Sequence, residues 1–120
     1  FPRIPIAEQM NQIDRTDRVV AAFDGRDRHL FRPPSGRFPL SLLLRFVLER
    51  RRMAYWSYDS LDYRREPAER IVETLRAQPP VAGDIVLMHD DSAHSLALLR
   101  ELIPAWKAQG FELRALPHLH

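Results

Sequence analysis

Helix and strand alternate along this chain, and that order predicts an α/β domain built on parallel strands. Three observations carry the reading. Segments with apolar residues at near-helical spacing alternate with short extended runs. Pro and Gly punctuate nearly every junction. Within Asp84–Met88, Ile85-Val86-Leu87-Met88 is a continuous apolar run, as a parallel strand covered on both faces requires. Strands linked through helices are parallel and joined by right-handed crossovers.

Over residues 6–24, Ile6, Met10, Ile13, Val20 and Phe23 recur at near-helical spacing; Pro5 suits the first turn, and Gly25 the position just past the last. His29-Leu30-Phe31 is a short extended piece. Arg32-Pro33-Pro34-Ser35-Gly36 must then turn at once, because two successive prolines continue neither a ladder nor a helix. Pro39 opens a second helix through about Arg50. Its Leu40, Leu42, Leu43, Leu44, Phe46, Val47 and Leu48 are apolar on most faces and predict burial on more than one side. Met53–Tyr58 is aromatic and strand-like, and ends in the polar loop Asp59-Ser60-Leu61-Asp62-Tyr63.

Pro67 begins a third helix with Ile71, Val72 and Leu75 inward, closed by Pro79-Pro80. After Gly83 comes the strand Asp84–Met88. Ser92 or Asp91 caps a fourth helix, with Leu96, Leu99, Leu102, Ile103 and Trp106 on one stripe. Pro104 is expected to kink it, Gly110 to end it, and Phe111–Leu116 to form a last strand. No internal repeat or low-complexity segment is present.

Composition narrows the function. The 120 residues, 45% hydrophobic and 28% charged, fit one globular domain. Eighteen basic residues against sixteen acidic give a net charge of only +2. The clusters Glu49-Arg50-Arg51-Arg52 and Tyr63-Arg64-Arg65 read as a solvated helix end and a loop, so nothing points to nucleic acid. The absence of cysteine excludes disulfides, cysteine nucleophiles and cysteine-ligated zinc. No apolar run approaches the roughly 20 residues of a membrane span. Gly-x-Gly-x-x-Gly, P-loop and Gly-x-Ser-x-Gly patterns are missing. No secretory signal is visible, and an opening on Phe1-Pro2-Arg3 without Met leads us to expect a processed or truncated product.

In a parallel sheet the strand C-termini share one end, where active sites are built. Arg32 follows the first extended piece, Asp59 and Asp62 the second, and His89, Asp90 and Asp91 the third. An Arg, acidic residues and a His are therefore expected to meet at one mouth. A carboxylate accepting from one imidazole nitrogen fixes the tautomer and suits His89 to general acid or base work. Asp62 is the preferred partner; Asp59 could instead cap the loop. Arg32, stiffened by Pro33 and Pro34, could orient a carboxylate. Asp90, Asp91 and His94 could form a metal cluster beside His89, but the helix-cap reading is favoured. The terminal pair His118 and His120 receives no role.

These residues resemble the motifs of polysaccharide deacetylases, the NodB-homology domain of carbohydrate esterase family 4. Arg32-Pro33-Pro34-Ser35-Gly36 is similar to the family's Arg-x-Pro-Tyr motif, Asp59-Ser60-Leu61-Asp62-Tyr63 to its Asp-x-x-Asp-Trp stretch, and Ile85-Val86-Leu87-Met88-His89-Asp90 to Ile-Val-Leu-x-His-Asp. Order and separation agree as well. The resemblance covers nearly all of residues 1–120 and implies a partial distorted (β/α) barrel, the C-terminal portion of the catalytic domain, that hydrolyses N-acetyl or O-acetyl groups on glycans. It further implies a divalent metal, usually zinc, with His89 as the acid that protonates the departing amine, Asp62 as its orienting partner, and Arg32 as the group positioning a catalytic Asp. Leu87 would line the acetyl pocket. Tyr63 stands in the place of the usual Trp, and Pro34 and Ser35 stand at the substrate side, Ser35 where the family commonly has Tyr.

The family's Thr-Phe-Asp-Asp-Gly and His-x-x-x-His motifs, which supply the base and the metal ligands, do not occur; Phe23-Asp24-Gly25 echoes the first only at a helix end. The resemblance therefore implies that the metal ligands are not in this chain. The expected partners are an acetylated glycan, a missing N-terminal segment or partner chain, and a second copy through self-association. Location in the cell envelope or outside the cell is implied by the resemblance alone. Two other readings stand beside the hydrolase: a non-catalytic carbohydrate- or partner-binding module, and a flavodoxin-like signalling domain using Asp59 or Asp90.

Overall fold

The computed structural model describes residues 1–116; His118 and His120 lie outside the described residues. The chain divides into two compact units, Phe1–Tyr55 and Trp56 onward.

In the first unit, α1 (Ile6–Asp24) starts after Pro5, whose carbonyl accepts the N–H groups of Glu8 and Gln9 at 3.0 Å each. Pro5 thus precedes the first turn rather than lying in it. Gly25, at φ 70°, closes the helix with its N–H on Ala21 O at 2.8 Å, a left-handed conformation that costs glycine little. Met10 and Ile13 are buried with Leu42 and Phe46 of α2 (Leu40–Leu48), and Phe31, Phe38 and Met53 pack around them. The inward stripe does not continue to Phe23, which is 89% exposed. It ends on Asp17.

Asp17 is the centre of a charged clamp. Its carboxylate accepts from Arg51 at 2.7 Å and from the backbone N–H of His29 at 3.2 Å, and lies 2.9 Å from His29 Nδ1. Arg51 also pairs with Asp14 and with Glu49. Arg50 and Arg52 are exposed as expected of the arginine cluster, but the Arg51 side chain is only 7% exposed. Removing one partner of such a buried pair costs about 3–5 kcal/mol, because the other charge is stranded.

Helix α2 buries Leu42 and Phe46 alone, while Leu40, Leu44, Val47 and Leu48 are exposed. Burial on more than one side is therefore not found. A nine-residue helix packed along one face has a single i, i+4 pair to offer it. The expected strands His29–Phe31 and Met53–Tyr58 meet at one parallel bridge, Phe31 to Met53. Pro33 and Pro34 have no N–H with which to extend that ladder.

In the second unit, β1 (Tyr58–Asp59) pairs in parallel with β2 (Val86–Leu87), Tyr58 opposite Val86 and Asp59 opposite Leu87. Ser57 pins the register. Its hydroxyl donates to Asp84 at 2.8 Å and accepts the Ile85 N–H at 2.9 Å. Helix α3 (Ala68–Ala77) buries Ile71, Val72 and Leu75 as expected, against Leu98, Leu102 and Trp106 of α4 (Ser95–Ala108). The α4 stripe differs at its start from the expected one: Leu98 is buried and Leu96 exposed. Gly110, at φ 91°, follows the helix, and the Phe111 N–H returns to Trp106 O at 3.1 Å. Phe111–Leu116 is extended but not a strand, since no described strand lies beside it to complete a ladder.

Arg50 follows α2 at φ 53°, where a side chain is strained by about 1–2 kcal/mol. Replacing it with Gly, Arg50→Gly, is expected to stabilise the chain by about 1 kcal/mol, the strain relieved outweighing the added freedom of the unfolded chain. Urea unfolding midpoints of the two chains measure this.

Candidate active site

The end of β1 runs into a loop that turns Asp62 inward. Asp59 Oδ1 accepts the Leu61 N–H at 2.9 Å, and Leu61 takes a left-handed φ of 59°. Asp59 is thus the loop-capping carboxylate, the role left open for it in the sequence. Asp62 is 1% exposed. Every polar contact it makes beyond its own loop goes to the segment after β2: the His89 N–H to Oδ2 at 2.6 Å, His89 Nδ1 to Oδ1 at 2.8 Å, and the Ser95 hydroxyl to Oδ2 at 2.9 Å. The Ser92 hydroxyl donates to the Asp62 carbonyl.

Burial pushes the Asp62 carboxyl up, but the bonds from the His89 ring, the His89 N–H and Ser95 outweigh it and hold the group below the usual carboxylate range. An ionised carboxylate only accepts. The proton of a neutral His89 ring therefore resides on Nδ1, and Nε2 is left for another partner. The His89 side chain is 36% exposed, so the pair is anchored from behind and open in front.

Tyr63 stands edge-on to the His89 ring, centroids 5.9 Å apart, and its hydroxyl donates to Asp59 at 3.1 Å. Burial and that donation to a carboxylate push its phenol above the ordinary range. Leu87 is buried on β2. The structure thus brings Asp62, His89 and Tyr63 together. Arg32, Pro34 and Ser35 belong to the first unit: Arg32 is exposed, and Pro34 and Ser35 lie in a short 3₁₀ turn (Pro34–Gly36), with Ser35 at φ 56°.

The expected cap at Asp91 or Ser92 is not found: α4 begins at Ser95, His94 precedes it without a side-chain capping bond, and Ser92 stands two residues short of that position. Asp90 and Asp91 are exposed, and the Ser92 hydroxyl accepts the His94 N–H at 3.2 Å. Among the described residues no group of three or more His, Cys, Asp or Glu side chains converges as a metal site, so these residues do not fit a metal by themselves. The sequence reading missed Ser95, whose only signal is a hydroxyl at the first position of a helix. It also missed the Asp17 clamp.

No family model matches the chain. It is 26% identical over 117 residues to a peptidoglycan-N-acetylglucosamine deacetylase of Bacillus cereus, covering 90% of this chain and 43% of that protein. Among solved structures it is similar to a family 4 carbohydrate esterase from Streptomyces lividans in complex with acetate (26% identity, TM-score 0.75, 90% of this chain and 55% of that one). It is likewise similar to the peptidoglycan deacetylase PdaC from Bacillus subtilis (26% identity, TM-score 0.79, 92% and 53%). The chain spans about half the length of these relatives. The expected fold class and the likeness to part of a polysaccharide deacetylase are both borne out.

A carboxyl held below its usual range stabilises the fold above that range, and the contribution is lost as pH falls through its folded value. Asp62→Asn is therefore expected to destabilise the chain by about 2 kcal/mol at neutral pH. The gap to the parent should narrow as pH falls below the ordinary carboxylate range and through the folded value of that carboxyl. A gap in urea midpoints that is independent of pH would contradict the assignment of charge to Asp62. The imidazole of His29 is pushed up by Asp24, then Asp17, against burial. Its stabilisation is complete below the ordinary histidine range and is lost as pH rises through the folded value. His29→Gln should flatten this loss as pH rises from the ordinary histidine range upward.

Proposed function

We propose that this chain, which resembles in sequence and fold part of a polysaccharide deacetylase of carbohydrate esterase family 4, supplies the general-acid side of a site that hydrolyses acetyl groups on glycans. The observation that carries the reading is the Asp62–His89 pair, with Nδ1 tied to a buried carboxylate and Tyr63 packed against the imidazole ring. In the reaction, water adds its oxygen to the acetyl carbon and the C–N bond breaks. A His89 ring protonated at Nε2 delivers that proton to the departing amine, while Asp62 retains Nδ1–H and stabilises the imidazolium. The outcome is acetate and a free amino sugar.

The remaining roles follow the resemblance. Arg32 positions the carboxylate that acts as base, Leu87 lines the acetyl pocket, and Pro34, Ser35 and Tyr63 face the sugar. Because the described residues do not fit a metal alone, we assign the expected zinc, its ligands and the base to sequence outside them. An N-acetylated glycan of the peptidoglycan kind is the favoured substrate, supported by the names of the relatives that act on it.

The test is acetate release from chitooligosaccharides, peptidoglycan and aryl acetates by the chain extended with its upstream coding sequence and loaded with zinc. We expect activity there and none from residues 1–120 alone. In the active form His89→Ala should lower kcat by about 100-fold or more. An extended protein that binds zinc tightly and releases no acetate from any of the three sinks the hydrolase reading. The alternative reading is a non-catalytic glycan- or partner-binding module. Calorimetric binding of acetylated oligosaccharide by residues 1–120 alone would select it.

The exposed stripe of Leu40, Leu44, Val47 and Leu48 supports self-association of the isolated chain. Sedimentation should find dimers or larger species that Leu44→Glu with Leu48→Glu returns to monomer. A monomeric parent chain overturns this.

A further inference from the structure

We propose that Ser95 is a positioning residue for the Asp62–His89 pair, holding the carboxylate in the one rotation that keeps Nδ1 protonated and Nε2 directed outward; the inference rests on the reading of that pair as a general acid and its orienter. Ser95 is the first residue of α4, and its Oγ lies 2.9 Å from Asp62 Oδ2 and 2.6 Å from the carbonyl oxygen of His89.

The terminal torsion of an aspartate is broad and soft, so the carboxylate plane is set by its hydrogen bonds rather than by its rotamer. Oδ1 faces His89 Nδ1, and Oδ2 is gripped from two sides by the His89 N–H and the Ser95 hydroxyl. Turning the plane would pull Oδ1 off the ring only by breaking both grips. Ser92 fixes the backbone of the same residue by donating to its carbonyl. The start of α4 therefore clamps Asp62 at main chain and side chain together. With Asp62 1% exposed, water has little access to replace a lost donor.

Ser95 has one hydroxyl proton and two acceptors within reach. With His89 neutral, the uncompensated carboxylate is the stronger acceptor and draws that proton. Tyr63 is the other titratable group in contact with the pair, with Asp59 behind it on the phenol oxygen.

The experiment is NMR on residues 1–120 labelled with ¹³C at Asp carboxyls and ¹⁵N in the His rings. In Ser95→Ala the Asp62 carboxyl should titrate at higher pH than in the parent. The neutral His89 ring should also gain Nε2–H tautomer. Ser95→Thr, which keeps the hydroxyl, should restore both. A folded Ser95→Ala chain, judged by unchanged near-UV circular dichroism, with parental titration and tautomer overturns the proposal. So does a Ser95→Thr chain displaced as far as Ser95→Ala. Should Ser95→Ala lose its fold, Ser95→Cys decides, since a thiol fills the place but donates weakly. An intermediate displacement is expected there, and none overturns the proposal. These readouts need no activity. Failure of acetate release with the NMR effects intact would sink the deacetylase reading and leave Ser95 as the clamp on Asp62; the reverse result removes Ser95 alone.

Discussion

The Asp62 carboxylate has almost no access to water, and the way its charge is met organises the second unit. Desolvation alone would push the proton back onto it. Donors from His89 and Ser95 prevent that, and they come from the turn that leaves β2 and from the first residue of α4. Loop, strand end and helix start are thereby fixed to a single residue. The two-residue ladder between β1 and β2 is too short to impose that geometry by itself, so much of the precision at the strand ends comes from side-chain hydrogen bonds.

That division of labour explains what was legible in the sequence. Pro5 and Gly25 bracket α1 because the missing N–H and the left-handed φ act locally, and local constraints survive in a one-dimensional reading. His89 and Asp62 were legible for a different reason: parallel strands send their C-termini one way, so polar residues just past apolar runs collect. Strand extent was not legible, since a ladder needs a neighbour, and Phe111–Leu116 has none among the described residues. Ser95 was hidden because a serine at a helix start is ordinary capping chemistry until the side chain it faces is known.

Asp17 and Arg51 failed to be read for a related reason. An aspartate in mid-helix between polar residues resembles a solvent face, and Arg51 sits in a run of arginines that looks solvated. Their burial depends on one another and on His29, twelve residues beyond Asp17. Neither could be buried alone, because an isolated buried charge costs more than the apolar contacts nearby return. The stripe of α1 can end on a carboxylate because a guanidinium arrives from just past the end of α2. The same helix α2 sends Leu42 and Phe46 inward and leaves its other leucines exposed, so the excess of leucine there belongs to a surface of the first unit rather than to its core.

The two units hold a histidine by the same device and leave it with different surroundings. In each, a buried aspartate takes both the backbone N–H and the Nδ1 of one histidine: Asp17 with His29, and Asp62 with His89. For His29 the second ring nitrogen lies 3.0 Å from Asp24, so both nitrogens face carboxylates, and the ring is driven toward the charged form as part of a structural clamp with Arg51. For His89 no carboxylate among the described contacts meets Nε2, and the ring packs T-shaped with Tyr63. A histidine between two carboxylates holds its proton, whereas one carboxylate at Nδ1 leaves the second nitrogen for another partner. Occupancy of the second nitrogen, more than burial or the presence of an aspartate, is therefore the difference between the two histidines on which the general-acid proposal for His89 rests.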